Sequence, residues 1–270
     1  MNPFSLQGRT ILVTGGTQGV GAGICRAIAA AGGDLVIHGL RDDEAAQTTI
    51  RQCRELGSDR VDLLCQDLLP EPPTDSVAEI AQEIWDSALQ CNPAIDGLVA
   101  NAGTYIDGPF LEMSEDIFYR TMQLNVASGM FLVQRCARHW IKHKTAASVV
   151  ITGSINGLLS EPQHASYDTS KGAVAAMTRS LCVELAPQGI RVNSMAPGLV
   201  RTPMTAALDS DPQLAAWMQL HTPNRCVPPA DVCGPTVVFL LSEAAAHVHG
   251  QTIYVDGGMS AWQQPDPPAA

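Results

Sequence analysis

Thr10-Ile11-Leu12-Val13-Thr14-Gly15-Gly16-Thr17-Gln18-Gly19-Val20-Gly21 is the stretch on which the fold turns. Its first four residues are apolar and β-branched without alternation, the pattern of a strand buried on both faces. After the glycines, Ile24, Ala27, Ile28 and Ala31 recur at helical spacing. A strand, a glycine turn and a helix in that order make a phosphate site. Amides at the helix start face the ligand, and residues without side chains let a pyrophosphate approach. The alternative is that these glycines only let helix pack closely on strand.

The same alternation continues along the chain. Strands are expected at Leu35–His38, Val61–Cys65, Ile95–Ala100, Ser148–Thr152, Arg191–Met195 and Thr252–Val255. Helices are expected between them, at 42–56, 75–90, from a Ser114 cap towards His143, from Tyr167 to Glu184, and around 237–241. Seven strands alternating with helices predict a single α/β domain, a doubly wound parallel sheet with helices on both faces, over residues 1–262. Residues 203–229, rich in proline and carrying Trp217 and His221, have the look of a lid over a substrate pocket. The tail at 263–270 is expected to fray. Pro235 fits the last helix only if that helix begins near it. The helix from Tyr167 is apolar around most of its circumference, which calls for a second cover such as a subunit interface.

Composition narrows the partners. With 16 basic against 27 acidic residues the net charge is -11, which argues against a nucleic-acid surface or an anionic membrane. No run approaches the ~20 apolar residues of a membrane span, and Met1–Gly8 has no leader pattern, so a soluble, cytoplasmic protein is expected. The eight cysteines are nowhere closer than seven residues. That spacing offers no zinc motif, and reduced buried thiols are the expectation. No metal site is expected.

Chemistry centres on Ser166-Tyr167-Asp168-Thr169-Ser170-Lys171. In a helix Tyr167 and Lys171 share a face, which brings an ammonium beside a phenol. A free tyrosine titrates near ~10, and a fixed positive charge would lower that value, fitting the phenol to give and take a proton at a carbonyl oxygen. Alone, such a pair is equally a plain helix face. Ser154 follows the fifth strand, where ligands of an open parallel sheet bind, or it is a turn or helix cap. Asn125 stands inside a helix that asparagine does not favour, so its amide faces solvent or bonds something the fold needs. At the other end of the cleft, Gly39-Leu40-Arg41 stands where an acid would select NAD. Arg41 could receive a 2′-phosphate, while Asp42 and Asp43 would repel it, and the balance leans slightly towards NADP. Asp67 is an adenine acceptor or a turn former. The small residues Asn101-Ala102-Gly103 would let a ribose lie against backbone.

Taken together, Thr14-Gly15-x-x-x-Gly19-x-Gly21, Asn101-Ala102-Gly103, Asn125, Ser154, Tyr167-x-x-x-Lys171, Pro197-Gly198 and Val255-Asp256-Gly257-Gly258 resemble the short-chain dehydrogenase/reductase family, from about Arg9 to Ser260. The resemblance implies a Rossmann-like domain, usually a homotetramer or homodimer, in which NAD or NADP exchanges hydride with a small alcohol or carbonyl substrate. It implies Tyr167 as acid/base, Ser154 as donor to the substrate oxygen, Lys171 on the nicotinamide ribose, and Asn125 holding a water on the proton route. It implies cofactor contacts from Gly15, Thr17, Gln18, Gly19, Val20 and Gly21, from Asp67 and Leu68 at the adenine, and from Asn101, Ala102 and Gly103. Pro197 and Gly198 would join these, with Val200 and Thr202 at the carboxamide. Substrate class stays open between a 3-oxoacyl thioester and a sugar or polyol, with Gln163 and His164 expected to face it. A nucleotide-binding scaffold without turnover is the alternative of another class.

Overall fold

The computed structural model describes residues 2–69, 76–203, 205 and 211–262. Seven parallel strands form one sheet in the order β3-β2-β1-β4-β5-β6-β7. They are β1 (Thr10–Val13), β2 (Asp34–Gly39), β3 (Val61–Cys65), β4 (Ile95–Ala100), β5 (Ala147–Thr152), β6 (Ile190–Pro197) and β7 (Thr252–Val255). The order reverses between β1 and β4, so the crevice beyond their carboxyl ends is where a ligand can lie.

Each face of the sheet carries its own core. Leu12, Val36 and Leu98 point to one side, beneath α3 (Val77–Cys91), α5 (Ser128–His143) and α6 (Ala165–Leu185). Ile11, Val13, Leu35 and Ile37 point to the other, beneath α1 (Gly19–Ala30), α2 (Glu44–Glu55) and α8 (Gly234–Leu241). Successive side chains alternate across a strand, so two covered faces produce the unbroken apolar runs of the sequence. Trp140 is fully buried in the first core and donates its indole N–H to Ile95 O at 2.7 Å.

The helices stand close to where their caps place them. Asp43 caps α2 through Ala46 N, Ser76 and Glu79 form a capping box on α3, and Ser114 caps α4 (Glu115–Met122). Helix α8 begins at Gly234 with Pro235 in its first turn, the position where proline costs no hydrogen bond. The long helix expected from Ser114 is interrupted. Gln123–Ala127 form one π turn between α4 and α5, with Asn125 inside it. Helix α6 is more mixed on its outer face than its spacing predicts, for Arg179, Ser180 and Glu184 are exposed beside Val183.

The expected lid holds α7 (Pro212–Leu220), started by Asp211. Residues 204 and 206–210 of the lid, the proline-rich segment at 70–75 and the tail at 263–270 lie outside the described residues. All eight cysteines are free. Four are buried, while Cys65 and Cys226 are exposed, which corrects the expectation for those two. Among the described residues no helix is long and apolar enough to cross a membrane, and no group of side chains has the makings of a metal site.

Candidate active site

A cleft of about 1170 Å³ runs from the glycine turn to α7, along the carboxyl ends of the central strands. At its floor Gly15 (φ 60°) and Gly19 (φ 54°) adopt the left-handed backbone that glycine permits. Gln18 stands at the N-cap of α1 without a side-chain hydrogen bond to the helix, which leaves the first amides of α1 without that partner. Gly21 is pressed against the turn itself. A Cβ there would lie 2.0 Å from Gly15 O and 2.6 Å from Asn101 Nδ2.

Asn101 does more than its small neighbours suggest. Its Nδ2 donates to Thr14 O and Gly15 O, and its Oδ1 accepts from the Thr152 hydroxyl, so one amide ties the turn to β4 and β5. Thr14 Oγ1 accepts from the Asn101 and Ala102 amides in return. His38, buried at the end of β2, completes the clamp. Its Nδ1 accepts from Gly15 N at 3.4 Å and its Nε2 donates to Gln66 O at 3.0 Å, the neutral tautomer that both bonds require.

Burial pushes the His38 imidazole down to about 4, against partial opposition from the Gln66 carbonyl and Asp67. An unfolded histidine takes its proton near ~6.5. The unfolded chain therefore binds a proton first as pH falls. Stability from this residue is complete above about 6.5 and is lost on going down to about 4, by up to about 3 kcal/mol. Urea midpoints across that window, compared with a His38→Gln variant, should fall further in the wild type. Equal pH slopes would contradict this.

At the adenine end, Gly39 faces Thr17, whose Cγ2 would sit 2.5 Å from any Cβ at position 39. The threonine thus occupies the space that an acid would need. Asp43 is engaged as the α2 cap, and Asp42 accepts from Gln47, so neither carboxylate is aimed solely at the cleft. Arg41 is exposed and lines it. Asp67 forms a turn, its Oδ1 accepting from Leu69 N at 2.9 Å, and it also lines the cleft. Leu68 and Val200, buried in the cores on opposite faces of the sheet, line the cleft as well. Val20, Gly103, Pro197, Gly198 and Thr202 also border the cleft.

At the far end Tyr167, Lys171 and Ser154 converge. Lys171 Nζ lies 5.6 Å from the Tyr167 ring centre and donates to Thr152 O at 3.1 Å. That is one of its three donors. Burial lowers the ammonium to about 8. Tyr167 departs from expectation. Its phenol lies above the ordinary value because burial outweighs a hydrogen bond from Ser154, with Asp168 and Glu161 adding to the rise. Sequence spacing brings the ammonium near but says nothing of how deeply the phenol is buried, and burial decides the sign.

Ser154 is the helix cap that its position offered, its Oγ accepting from Asn156 N at the start of the following short helix, and it stands in the cleft. Asn125 has three side-chain bonds within the protein. Its Oδ1 accepts from Thr104 N at 2.7 Å, and its Nδ2 donates to Thr104 O and to Ser170 Oγ, each at 2.9 Å. The side chain pins the loop after β4 to α6, and the π turn is what aims it there. Tyr105, two residues beyond Asn101-Ala102-Gly103, stands edge-on to Tyr167 with ring centres 5.3 Å apart. No motif singles Tyr105 out, although its place just past a strand's carboxyl end is a signal in the sequence.

The open first turn of α1, the side-chain-free floor at Gly15, Gly19 and Gly21, and a buried ammonium with donors to spare fit a dinucleotide laid along the crevice. Residues 15–260 match a family model described as enoyl-(acyl carrier protein) reductase. The chain is 34% identical to galactitol 2-dehydrogenase (L-tagatose-forming) of Cereibacter sphaeroides, over 96% of this chain and 98% of that protein. It is 32% identical to a 3-oxoacyl-(acyl-carrier-protein) reductase of Chlamydia pneumoniae, over 95% and 99%. A gluconate 5-dehydrogenase from Burkholderia cenocepacia, solved with NADP and tartrate, superposes with a TM-score of 0.87 at 30% identity, covering 97% of this chain and 99% of that one. Such a sheet and cleft define the class of nicotinamide-dependent oxidoreductases. Within it, the chain belongs to the short-chain dehydrogenase/reductase family.

Proposed function

We propose that the protein interconverts a secondary alcohol of a sugar or polyol and its ketone, using NADP in preference to NAD, with Tyr167 as the group that moves the proton. The convergence of Tyr167, Lys171 and Ser154 at the far end of the cleft from the glycine turn carries this reading. A bound nicotinamide supplies or removes the hydride. Tyr167, its phenol held above the ordinary value by burial, keeps its proton at neutral pH and donates it to the oxygen that forms as a ketone is reduced. Ser154 donates to that same oxygen and fixes its distance from the phenol. Lys171 offers its remaining donors to the ribose hydroxyls, and its charge favours the phenolate that alcohol oxidation needs. Asn125 acts by holding the Thr104 backbone against α6, and so fixes the wall beside Tyr167.

Gly39, Thr17 and Arg41 support NADP, because the last residue of β2 carries no carboxylate and Arg41 lines the cleft beyond it, while Asp43, which lines it too, is tied to the Ala46 amide as a helix cap. Arg41→Ala should raise the KM for NADP about tenfold and leave that for NAD within about twofold. An equal rise for both cofactors would refute that role. Similarity to the galactitol 2-dehydrogenase supports a polyol substrate. The exposed face of α6 around Val183 supports a homodimer or homotetramer, and light scattering would measure it. A cytoplasmic site of action is consistent with the free thiols. The deciding experiment follows nicotinamide absorbance with both cofactors against sugars, polyols, hydroxy acids, steroids and acetoacetyl thioesters. Turnover with sugars or polyols and NADP is expected. Cofactor binding with no turnover anywhere would overturn the reading in favour of a silent scaffold.

A further inference from the structure

The loop after β4 and the loop before α6 meet at the mouth of the cleft. Gly108 N donates to Gln163 O at 3.0 Å, and Gln163 holds φ 70°, a left-handed conformation uncommon outside glycine. This turn brings His164 to Tyr105. His164 Nε2 and the Tyr105 hydroxyl lie 2.5 Å apart, and the rings meet edge-on at 5.0 Å. The other imidazole nitrogen is buried with no partner, so Tyr105 is the ring's hydrogen-bonding anchor among the described residues.

Two carboxylates flank the pair. Burial, then the charge and hydrogen bond of Asp107, then the charge of Glu161 push the Tyr105 phenol up to about 12. Tyr105 thus stays a hydroxyl at neutral pH and does not compete with Tyr167 for the proton. A hydroxyl has one donor and two lone pairs, so with its proton given to Asp107 and one lone pair accepting from His164 it keeps one lone pair to accept from a further partner. Across the cleft stand Leu214, Trp217 and Met218 of α7. Arg120 and Lys171 are cations that line the cleft, and Lys171 keeps two donors after its bond to Thr152 O.

A polyhydroxylated carbon chain suits both walls. Its C–H faces pack on the indole and aliphatic side chains, and its hydroxyls donate to carboxylates and to the tyrosine. A carboxylate at the same place meets two like charges in a partly enclosed site, where repulsion is weakly screened. We propose that Tyr105, His164, Asp107 and Glu161 form the subsite for the hydroxyl beside the reacting carbon, and that they select an uncharged polyol or sugar over the corresponding sugar acid. This selection rests on the oxidoreductase reading above.

The test compares a panel of hexitols with the matching aldonates and with cyclohexanol, which has the reacting group and no neighbouring hydroxyl. For the wild type, kcat/KM for the best hexitol should exceed that for its aldonate by more than tenfold. Asp107→Asn with Glu161→Gln should shrink that ratio by about tenfold. Tyr105→Phe, which keeps the ring packing, should lower the hexitol-to-cyclohexanol ratio by about tenfold, and His164→Gln should move it in the same direction. Tryptophan fluorescence, reporting Trp217 at the cleft, gives the hexitol and aldonate Kd values without turnover and should repeat the preference. An aldonate used or bound as well as its hexitol, or ratios unmoved by these variants, would overturn the proposal while turnover itself upholds the parent reading. Absence of turnover with every alcohol would overturn the parent reading, and the Kd ratio would then decide this one.

Discussion

Tyr167→Phe is expected to bind NADP with wild-type affinity and to lose turnover by roughly a thousandfold, within the 10²–10⁴ range that a positioned acid/base contributes. The substitution removes one hydroxyl from a ring whose packing against Tyr105 is unchanged, so folding should be unaffected. Loss should appear in kcat, because the proton moves only as the hydride does. The pH profile carries a second signature. Lys171 is lowered to about 8 by burial, so its ammonium, complete well below that value, is lost as pH rises through it. Alcohol oxidation relies on that charge to hold a phenolate and should fail to keep rising with pH beyond about 8. A phenylalanine variant with wild-type turnover would remove Tyr167 from the mechanism.

Gly21→Ala is the second large effect. Its Cβ would approach Gly15 O to 2.0 Å and Gly15 C to 2.8 Å, and neither atom belongs to a flexible side chain. Helix α1 must shift off the turn, which should cost at or above the top of the ~1–3 kcal/mol usual for overpacking. NADP affinity should fall by roughly a hundredfold or more, since the same displacement spoils the amides that face the phosphates. Gly172→Ala in α6 is the contrast. Nothing lies within 4 Å of its Cβ, and alanine should stabilise that helix by about 0.5–1 kcal/mol. Unfolding curves and cofactor titrations on the pair separate crowding from the mere loss of a glycine. Similar behaviour of the two variants would contradict the packing argument.

Much of this architecture was legible in the residues. Apolar runs without alternation announced strands covered on both faces, and Ser114 marked a helix start as capping chemistry requires, while the caps Asp43 and Ser76 each stand one residue beyond the helix starts expected at 42 and 75. Tyr167 and Lys171 share a face because helical geometry leaves no choice. What escaped were properties that belong to three dimensions. The direction of the Tyr167 shift depends on how much water the phenol loses. The π turn that carries Asn125 has no mark in the sequence, since nothing in the spacing separates it from the helix on either side. The partnership of Tyr105 with His164 joins two loops whose meeting no local pattern records. Gly39 was noticed as a missing acid, but only the Thr17 methyl in its place explains why an acid there would be crowded.

The strand order has a consequence for the newborn chain. β1 lies between β2 and β4, and its register sets Thr10 against Ile95, a partner made long after it on the ribosome. Until that segment emerges, one side of the first strand has open amides and carbonyls beside the apolar side chains of Ile11 and Val13, a template for strangers. A nascent fragment stalled before β4 should therefore call on chaperones, and the cradle for the dinucleotide cannot close before synthesis passes Asn101, whose amide fastens it.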